Sequence, residues 1–265
     1  MFDDYLSEWA LSPDGPPIVT PYAQLLPVRW RGIKAMLKVA TAPEEAAGIP
    51  LLAWWDGEGA ARVLAHAGHA ILLERAEGKG NLATLARNSH DDEATRILCA
   101  VIARLHAPRP KPLPSLISLD GWFRELAPAA AAHGGILHAS AAAARDLLAA
   151  APKQPVPLHG DVHHYNVLDF GERGWLAIDP KGILGERAFD YCTLFFNPDH
   201  ATATAQGRLA RQLDVVATAA QLDAQTLLRW ILAFGGLSAA WHFSEGTSPD
   251  IAIEVATIAY AELHK

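Results

Sequence analysis

The chain has 265 residues, of which 51% are hydrophobic and 19% are charged, and its formal net charge at pH 7 is −7. This length and apolar content predict a globular chain of one large or two modest domains and exclude a disordered one. The negative charge argues against a nucleic-acid-binding protein, which normally carries a basic patch. Two cysteines are too few for a disulfide framework, and we expect neither a secretory signal nor a membrane span. We therefore expect a cytoplasmic protein.

The first part of the chain has the pattern of short strands. We predict a strand over residues 5–11, an extended segment from Ile18 to Trp30, and a strand over residues 33–39. In the last of these, period-two alternation places Leu37 and Val39 on one face and Lys38 on the other. On the inner face of a small sheet, that lysine would reach phosphate oxygens. A lysine that faces solvent is the commoner alternative.

Residues 43–79 complete this part. Glu44 and Glu45 suit the first turn of a helix, which Gly48 and Pro50 weaken. Two apolar strands over residues 60–66 and 69–75 follow, and the composition then becomes helical. We therefore predict a hinge over residues 75–79, between a β-rich lobe of residues 1–76 and a larger, mainly helical lobe of residues 77–265.

The second part is predicted to be mostly helical. Helices are predicted over residues 80–87, 91–106, 117–132, 139–151, 187–197, 208–219 and 224–242, and Ser248-Pro249 predicts the start of another. A β-hairpin interrupts them, with strands over 166–170 and 175–179 and a turn over 171–174. The fold class is therefore α+β, with two lobes and a cleft between them where ligands commonly bind.

The segment from Leu158 to Asp179, LHGDVHHYNVLDFGERGWLAID, carries the polar groups that magnesium-dependent phosphoryl transfer needs. Such transfer depends mainly on positioning and on neutralising charge. Asp161 is a candidate base that accepts or orients the proton of an attacking hydroxyl. Asn166 and Asp179 offer the hard oxygen ligands that magnesium prefers.

Other interpretations of this segment remain open. His159 is expected to hold the loop by hydrogen bonds. His159 and His163 are four residues apart, as in a zinc pair, but that pair needs a helix, which Pro157 and Gly160 oppose. For Asp169, a carboxylate in a turn is the preferred interpretation.

The motifs HGDVHHYNVL and WLAIDPKGILGERAFDY resemble those of the aminoglycoside phosphotransferases, specifically the streptomycin 6-phosphotransferase branch, which is grouped with hydroxyurea kinases. The segments LPVRWRGIKAMLKVA, LLAWWDGEGAARVLA, DDEATRILCAVIARLHAP and LLRWILAFGGLSAAW extend the resemblance over almost the whole chain. The resemblance implies a protein-kinase-like bilobal fold. It also implies phosphorylation of streptomycin at the 6-hydroxyl with ATP and Mg²⁺, and a small cationic aminoglycoside as partner.

The resemblance also implies roles for individual residues. Asp161 would be the catalytic base, and Asn166 and Asp179 the magnesium ligands. Lys38 would hold the nucleotide phosphates, with Glu45 as its acidic partner. The nucleotide site would be completed by the hinge from Glu74 to Ala76, whose backbone would pair with adenine, and by Thr20 to Gln24 in place of a glycine-rich loop.

Three residues are implied at the substrate site. Glu186 and Asp190 would bind guanidinium groups of the substrate, since carboxylates pair well with guanidinium, and Trp241 would line the sugar site. For Asp190 a structural carboxylate is an equal alternative, and for Trp241 a core position is the commoner one. The branch usually has glutamate where Tyr165 stands. A kinase for another small hydroxylated metabolite and a nucleotide-binding pseudokinase are the alternative functions.

Overall fold

The structure is a computed structural model that describes residues 2–41, 46–150 and 154–265. The start of the helix predicted at Glu44 and Glu45 lies outside the described residues. Within them, a sheet formed by the N-terminal part is followed by a larger, mainly helical part, as predicted.

One antiparallel sheet forms the N-terminal lobe. Its strands are β1 (Leu11–Pro13), β2 (Ile18–Val19), β3 (Ala23–Trp30), β4 (Ile33–Ala40), β5 (Val63–Ala67) and β6 (Ala70–Glu74). The order is β1-β3-β4-β6-β5, and β2 pairs with the outer part of β3. The β3–β4 hairpin turns at Arg31 and Gly32, both with positive φ. It sets the register in which Leu25 lies opposite Lys38.

The strand predicted over residues 5–11 is wrong. Helix α1 covers Asp3–Glu8, and β1 begins only at Leu11. Two aspartates occupy the first turn of α1, where negative charge is favourable. Tyr5 and Trp9, four residues apart on the helix, pack together and against the apolar cluster of the sheet. This tertiary contact outweighs the local preference of the aromatic residues for a strand.

Helix α2 (Ile49–Trp55) precedes the hinge in sequence but packs with the larger lobe. Its residues belong to the main apolar core, whereas the sheet has a smaller core of its own. Trp55 is fully buried, and its Nε1 donates to the Leu105 carbonyl at 3.0 Å. Pro50 is accommodated in the first turn of α2, where no backbone N–H is needed. By packing, α2 is therefore part of the C-terminal lobe.

The C-terminal lobe is built around a buried helix. Its helices are α3 (Leu82–Arg87), α4 (Asp91–Leu105), α5 (Leu119–Trp122), α6 (Leu126–His133), α7 (Ile136–Ala149), α8 (His200–Ala203), α9 (Arg208–Ala220), α10 (Ala224–Glu245) and α11 (Asp250–Leu263). Helix α10 is buried over most of its length. At Gly235 a Cβ would lie 2.7 Å from Ala256 of α11, so glycine allows the two helices to approach closely.

Two predicted helices differ from the structure. Residues 117–132 form strand β7 (Ile117–Ser118) followed by α5 and α6, because Ser118 is extended and its Oγ caps α5 by accepting from the Gly121 N–H at 3.2 Å. Residues 187–197 form two short 3₁₀ helices, Arg187–Tyr191 and Thr193–Phe196. In α11 the first helical residue is Asp250, one position after the proline predicted there.

The remaining strands frame the segment from Leu158 to Asp179. They are β8 (Val156–Leu158), β9 (Val167–Asp169), β10 (Trp175–Ala177) and β11 (Ile183–Gly185). Strands β9 and β10 form the predicted hairpin, and β11 lies between β7 and β8. Among the described residues, none of the helices combines the length and the apolar character that a membrane crossing needs.

The β9–β10 hairpin also contacts the chain that follows α2. Ala177 accepts from the Ala61 N–H at 2.8 Å and donates to the Gly59 carbonyl at 3.0 Å. Arg173, in the hairpin turn, donates to the Gly57 carbonyl at 2.6 Å. The hairpin is thus attached to residues that lead directly into β5 of the sheet.

Candidate active site

Lys38 and Asp179 meet between the two lobes. Lys38 is only 6% exposed, and its Nζ donates to Asp179 Oδ1 in an ion pair. The predicted inward direction of this lysine is confirmed, and the solvent-facing alternative is wrong. Asp179 has a φ of +61°, a conformation that residues with a Cβ seldom adopt and that costs about 1–3 kcal/mol. The backbone at the end of the hairpin therefore aims this carboxylate at the sheet.

A narrow cavity lies beside this ion pair. Its walls are apolar, and Lys38 and Asp179 provide its charge. The residues that line it are Lys38, Ala40, Gly48, Ile49, Leu52, His69, Ile71, Leu73, Asp179 and Pro180. An apolar cavity with a few convergent charged groups is typical of a site for a small organic ligand.

Glu74 and Ala76, the two ends of the predicted hinge, differ in their hydrogen bonds. The Glu74 carboxylate is engaged within the protein, because it pairs with Arg173 and accepts from the Arg62 N–H at 2.5 Å. The Ala76 backbone N–H and carbonyl, by contrast, have no hydrogen-bond partner among the described residues. Ala76 can therefore offer both groups to a ligand.

Asp169 fastens the end of the hinge to the hairpin. Its carbonyl accepts from the Gly78 N–H at 2.9 Å, and its carboxylate oxygens accept from the N–H groups of Gly80 and Gly171, each at 2.9 Å. A Cβ at Gly78 would lie 1.9 Å from Asp169 Cγ. The preferred interpretation of Asp169 as a turn carboxylate is confirmed, and the hinge contact adds a second role.

Asp161 and Asn166 are held together in the loop between β8 and β9. Asn166 Nδ2 donates to the Asp161 carbonyl at 3.0 Å and to Asp161 Oδ2 at 3.1 Å. These bonds leave the amide oxygen of Asn166 without a hydrogen-bond partner among the described residues. The Asp161 side chain is 28% exposed. The pair thus offers a carboxylate and a free amide oxygen.

Two basic side chains lie beside the Asp161 carboxylate. His163 Nε2 lies 3.5 Å from its Oδ1, and Lys181 Nζ lies 3.9 Å from its Oδ2. Burial by itself raises the pKa of Asp161, but His163, Lys181 and His159 together lower it well below its ordinary value. Asp161 is therefore ionised at neutral pH and able to accept a hydrogen bond from a hydroxyl.

His159 holds this loop, as predicted. It is fully buried, its Nε2 bonds to the Ile178 carbonyl at 2.7 Å, and its Nδ1 accepts from the Asp161 N–H at 3.2 Å. Its ring stacks on Trp55 with centroids 6.1 Å apart. Since both ring nitrogens are engaged within the protein, the zinc-pair alternative with His163 is wrong.

Asp190 lies behind the loop. It is 1% exposed and accepts from the His159 N–H at 2.9 Å, the Gly160 N–H at 2.6 Å and His106 Nε2 at 2.8 Å. A buried carboxylate with all of these partners within the protein is not positioned to bind a substrate. The structure favours the structural alternative for Asp190 over the predicted substrate contact.

Glu186 and Trp241 have different environments. Glu186 is half-buried and begins a 3₁₀ helix, where its carboxylate accepts from the Ala188 N–H at 3.5 Å. Trp241 is half-buried on α10, and its ring lies edge-on to Trp122 and Phe234, with centroids 5.3 and 6.2 Å away. Those contacts favour a core position for Trp241. Substrate binding by Glu186 stays a prediction.

Two side-chain arrays near the loop were missed from the sequence. Arg87 of α3 bonds to the Tyr165 hydroxyl, and a buried ion pair joins Asp91 of α4 to Arg208 of α9 at 2.7 Å. Asp91 is the first residue of α4. Its partner lies 117 residues away, so no local pattern indicates the pair.

A family model described as aminoglycoside/hydroxyurea antibiotic resistance kinase matches residues 8–246. The chain belongs to this family. The recognition made from the catalytic motifs is thereby confirmed.

Several known proteins are similar to this chain over most of its length. It is 52% identical over 246 residues to a streptomycin 3''-kinase of Klebsiella pneumoniae, a match that covers 91% of this chain and 92% of that protein. It is 32% identical over 272 residues to a streptomycin 6-kinase of Streptomyces griseus, covering 97% and 86%. A hydroxyurea phosphotransferase of Kitasatospora aureofaciens is 31% identical over 271 residues, covering 98% and 76%.

Solved structures of other proteins have the same fold as this chain. A choline/ethanolamine kinase family protein from Mesorhizobium loti has a TM-score of 0.69 at 14% identity, covering 99% of this chain and 95% of that one. A thermostable mutant of aminoglycoside phosphotransferase APH(4)-Ia, in a ternary complex with ADP and hygromycin B, has a TM-score of 0.68 at 13% identity, covering 99% and 97%. The predicted kinase-like bilobal fold is confirmed.

Proposed function

We propose that this chain transfers the γ-phosphate of ATP to a hydroxyl group of streptomycin. The observation that carries the proposal is that the Asp161–Asn166 pair is linked to the Lys38–Asp179 ion pair. The link is a hydrogen bond of 2.9 Å from the Ile178 N–H, next to Asp179 in the chain, to the Asn166 carbonyl. A base, an amide, a carboxylate and a lysine are thereby joined in one array. Family membership and the 52% identity to a streptomycin 3''-kinase support streptomycin as the acceptor.

ATP would bind between the lobes, beside Lys38 and the narrow cavity. The apolar walls suit the adenine ring, and the free backbone groups of Ala76 are available to its polar edge. Lys38 would bind the nucleotide phosphates. Glu45, which lies outside the described residues, is kept as the proposed partner of Lys38. Because Lys38 contacts Asp179, phosphates bound to Lys38 would lie close to the proposed magnesium ligand Asp179.

Asn166 and Asp179 fit a magnesium ion. One free amide oxygen and one carboxylate are hard ligands, and magnesium normally keeps several water and phosphate ligands in addition. The ion would neutralise charge on the phosphates. Asp179 would exchange part of its contact with Lys38 for the ion, since both compete for the same carboxylate.

Asp161 would act on the acceptor hydroxyl. Its ionised carboxylate accepts the hydrogen bond of the hydroxyl and orients the oxygen for in-line attack. As the new O–P bond forms, the bond from the γ-phosphorus to the bridging oxygen breaks and ADP leaves. The hydroxyl proton passes to Asp161 late in the reaction, because the low pKa of Asp161 makes it a weak base.

The position phosphorylated on streptomycin has two candidates. The relative at 52% identity is named a 3''-kinase, which favours the 3''-hydroxyl. The relative at 32% identity is named a 6-kinase, and the motifs resemble that branch, which favours the 6-hydroxyl. Because identity to the 3''-kinase is much higher, the 3''-hydroxyl is our first choice.

A coupled assay of ADP release with streptomycin, other aminoglycosides, hydroxyurea and small hydroxylated metabolites tests the proposal. We expect turnover with streptomycin, and NMR of the product then gives the phosphorylated position. Asp161→Ala is expected to keep ATP binding and to lose transfer. Turnover only with a metabolite would replace streptomycin as the acceptor, and ATP binding without turnover on any acceptor would favour the pseudokinase.

A further inference from the structure

A tyrosine lies on the exposed rim of the loop that carries Asp161. Tyr165 is 43% exposed, and its ring lies edge-on to His163 with centroids 6.0 Å apart. His163 in turn approaches Asp161 through Nε2. The exposed aromatic surface therefore continues directly from the carboxylate that acts on the acceptor hydroxyl.

Two structural elements fix the position of this ring, α3 through Arg87 and the start of α8 through Asp199. Arg87 Nη2, at the end of α3, donates to the Tyr165 hydroxyl at 2.6 Å, and Arg87 Nε donates to Asp199 Oδ2 at 2.7 Å. Asp199 is itself fixed, since its Oδ1 caps α8 by accepting from the Thr202 N–H at 2.9 Å. A side chain that is ordered before binding loses little entropy when a ligand arrives. Such an arrangement suits a binding surface.

The charges around the ring suit a cationic ligand. The guanidinium of Arg87 would repel a cation, but Asp199 neutralises it in an ion pair. Tyr165 itself stays 43% exposed, and the face of an aromatic ring attracts guanidinium groups through its negative π-surface. Sugar rings also pack on such a face through their apolar edges.

We propose that Tyr165 forms part of the acceptor site by stacking on a guanidinium-bearing ring of the substrate, and that Arg87 is the positioning residue that holds it there. The inference rests on the proposed function and adds a specificity-determining residue to it. Tyr165 follows the catalytic base by four positions, so substrate contact at this ring would also set which hydroxyl reaches Asp161.

Calorimetric titration of streptomycin into the nucleotide-free protein tests the role of Tyr165 without relying on turnover. Tyr165→Ala is expected to weaken streptomycin binding about three- to tenfold. Tyr165→Phe and Arg87→Gln remove the same hydrogen bond, so each is expected to weaken binding about two- to threefold, and the double variant no further. Tyr260→Ala is the matched control, because Tyr260 is 40% exposed on α11, outside the site.

Further measurements separate binding from folding and from chemistry. Affinity for ATP and the melting temperature should match the wild type in all of these variants. Wild-type affinity for streptomycin in Tyr165→Ala would overturn the inference. Wild-type protein that binds streptomycin without phosphorylating it contradicts the proposed function, while the comparison of affinities still decides the role of Tyr165. Wild-type protein that does not bind streptomycin overturns both.

Discussion

Replacing Asp190 by asparagine separates a structural role from a substrate-binding role. The carboxylate of Asp190 receives three hydrogen bonds, two of them from the backbone of His159 and Gly160 just before Asp161, the proposed base. Asparagine has nearly the same shape but keeps only one acceptor oxygen. Its NH₂ group would face a donor, and the buried negative charge would be lost.

The size of the effect follows from these bonds. A hydrogen bond to a charged group contributes about 1.5–3 kcal/mol, and a buried donor left unpaired costs about 1–3 kcal/mol. Because one oxygen remains, we expect Asp190→Asn to lower the free energy of unfolding by about 2–4 kcal/mol. At about 2–4 °C per kcal/mol for chains of this size, the melting temperature should fall by roughly 4–16 °C. Displacement of Gly160, which precedes Asp161, should lower kcat about 10- to 100-fold.

Differential scanning calorimetry and steady-state kinetics with streptomycin measure both effects. Asp214→Asn, at an exposed position on α9, is the control for removing a carboxylate and should change neither quantity. The structural reasoning is refuted if Asp190→Asn melts like the wild type and changes only the KM for streptomycin. That result would restore the substrate contact implied by the resemblance.

Three further predictions concern the hinge, the thiols and the catalytic base. Gly78→Ala should destabilise the protein by about 1–3 kcal/mol and raise the KM for ATP, because the added Cβ would collide with Asp169. In calorimetry, the additional change Asp169→Ala should restore part of the lost stability. Neither thiol should react with Ellman's reagent in the folded protein at about pH 8, because burial raises the pKa of Cys99 to about 12 and that of Cys192 well above its ordinary value. Both should react in guanidinium chloride, and a thiol that is fast in the native protein would contradict their burial. The pKa of Asp161 is lower in the folded protein than in the unfolded chain, so the ionised carboxylate stabilises the fold. This stabilisation is lost only when the pH falls through the lowered pKa. A pH profile of kcat should therefore show no loss from Asp161 between about pH 7 and pH 5. An Asp161 carboxyl group that titrates within this range by NMR would refute this.

Local patterns in the sequence were sufficient for much of the catalytic framework. The alternation around Lys38 predicted a strand with this lysine on the face opposite Leu37 and Val39, and the turn residues after Phe170 predicted the hairpin that ends at Asp179. Helices with a clear apolar stripe, such as α4 and α10, were predicted to within a few residues. These features depend on periodicity and turn chemistry, which a single sequence contains.

Features that depend on distant partners could not be predicted. Asp190 is structural because two backbone N–H groups about 30 residues earlier donate to it. Tyr165 is fixed by Arg87, 78 residues before it. The N-terminal helix α1 forms because its aromatic side chains pack on the sheet. In each case the deciding contact forms only when the chain has folded, so the local spacing of residues in the sequence does not predict it.

The attachment of the β9–β10 hairpin to the residues after α2 has a mechanical consequence. Ala177 is bonded to Gly59 and Ala61, and α2 is packed into the main core. The chain thus passes between the sheet and the helical lobe three times, between β4 and α2, before β5 and after β6. With three such connections we do not expect the sheet to swing freely about a single pivot. We therefore expect entry of the proposed nucleotide to need only a small tilt of the sheet, with the Asp179 end of the hairpin held by the bonds of Ala177 to Gly59 and Ala61.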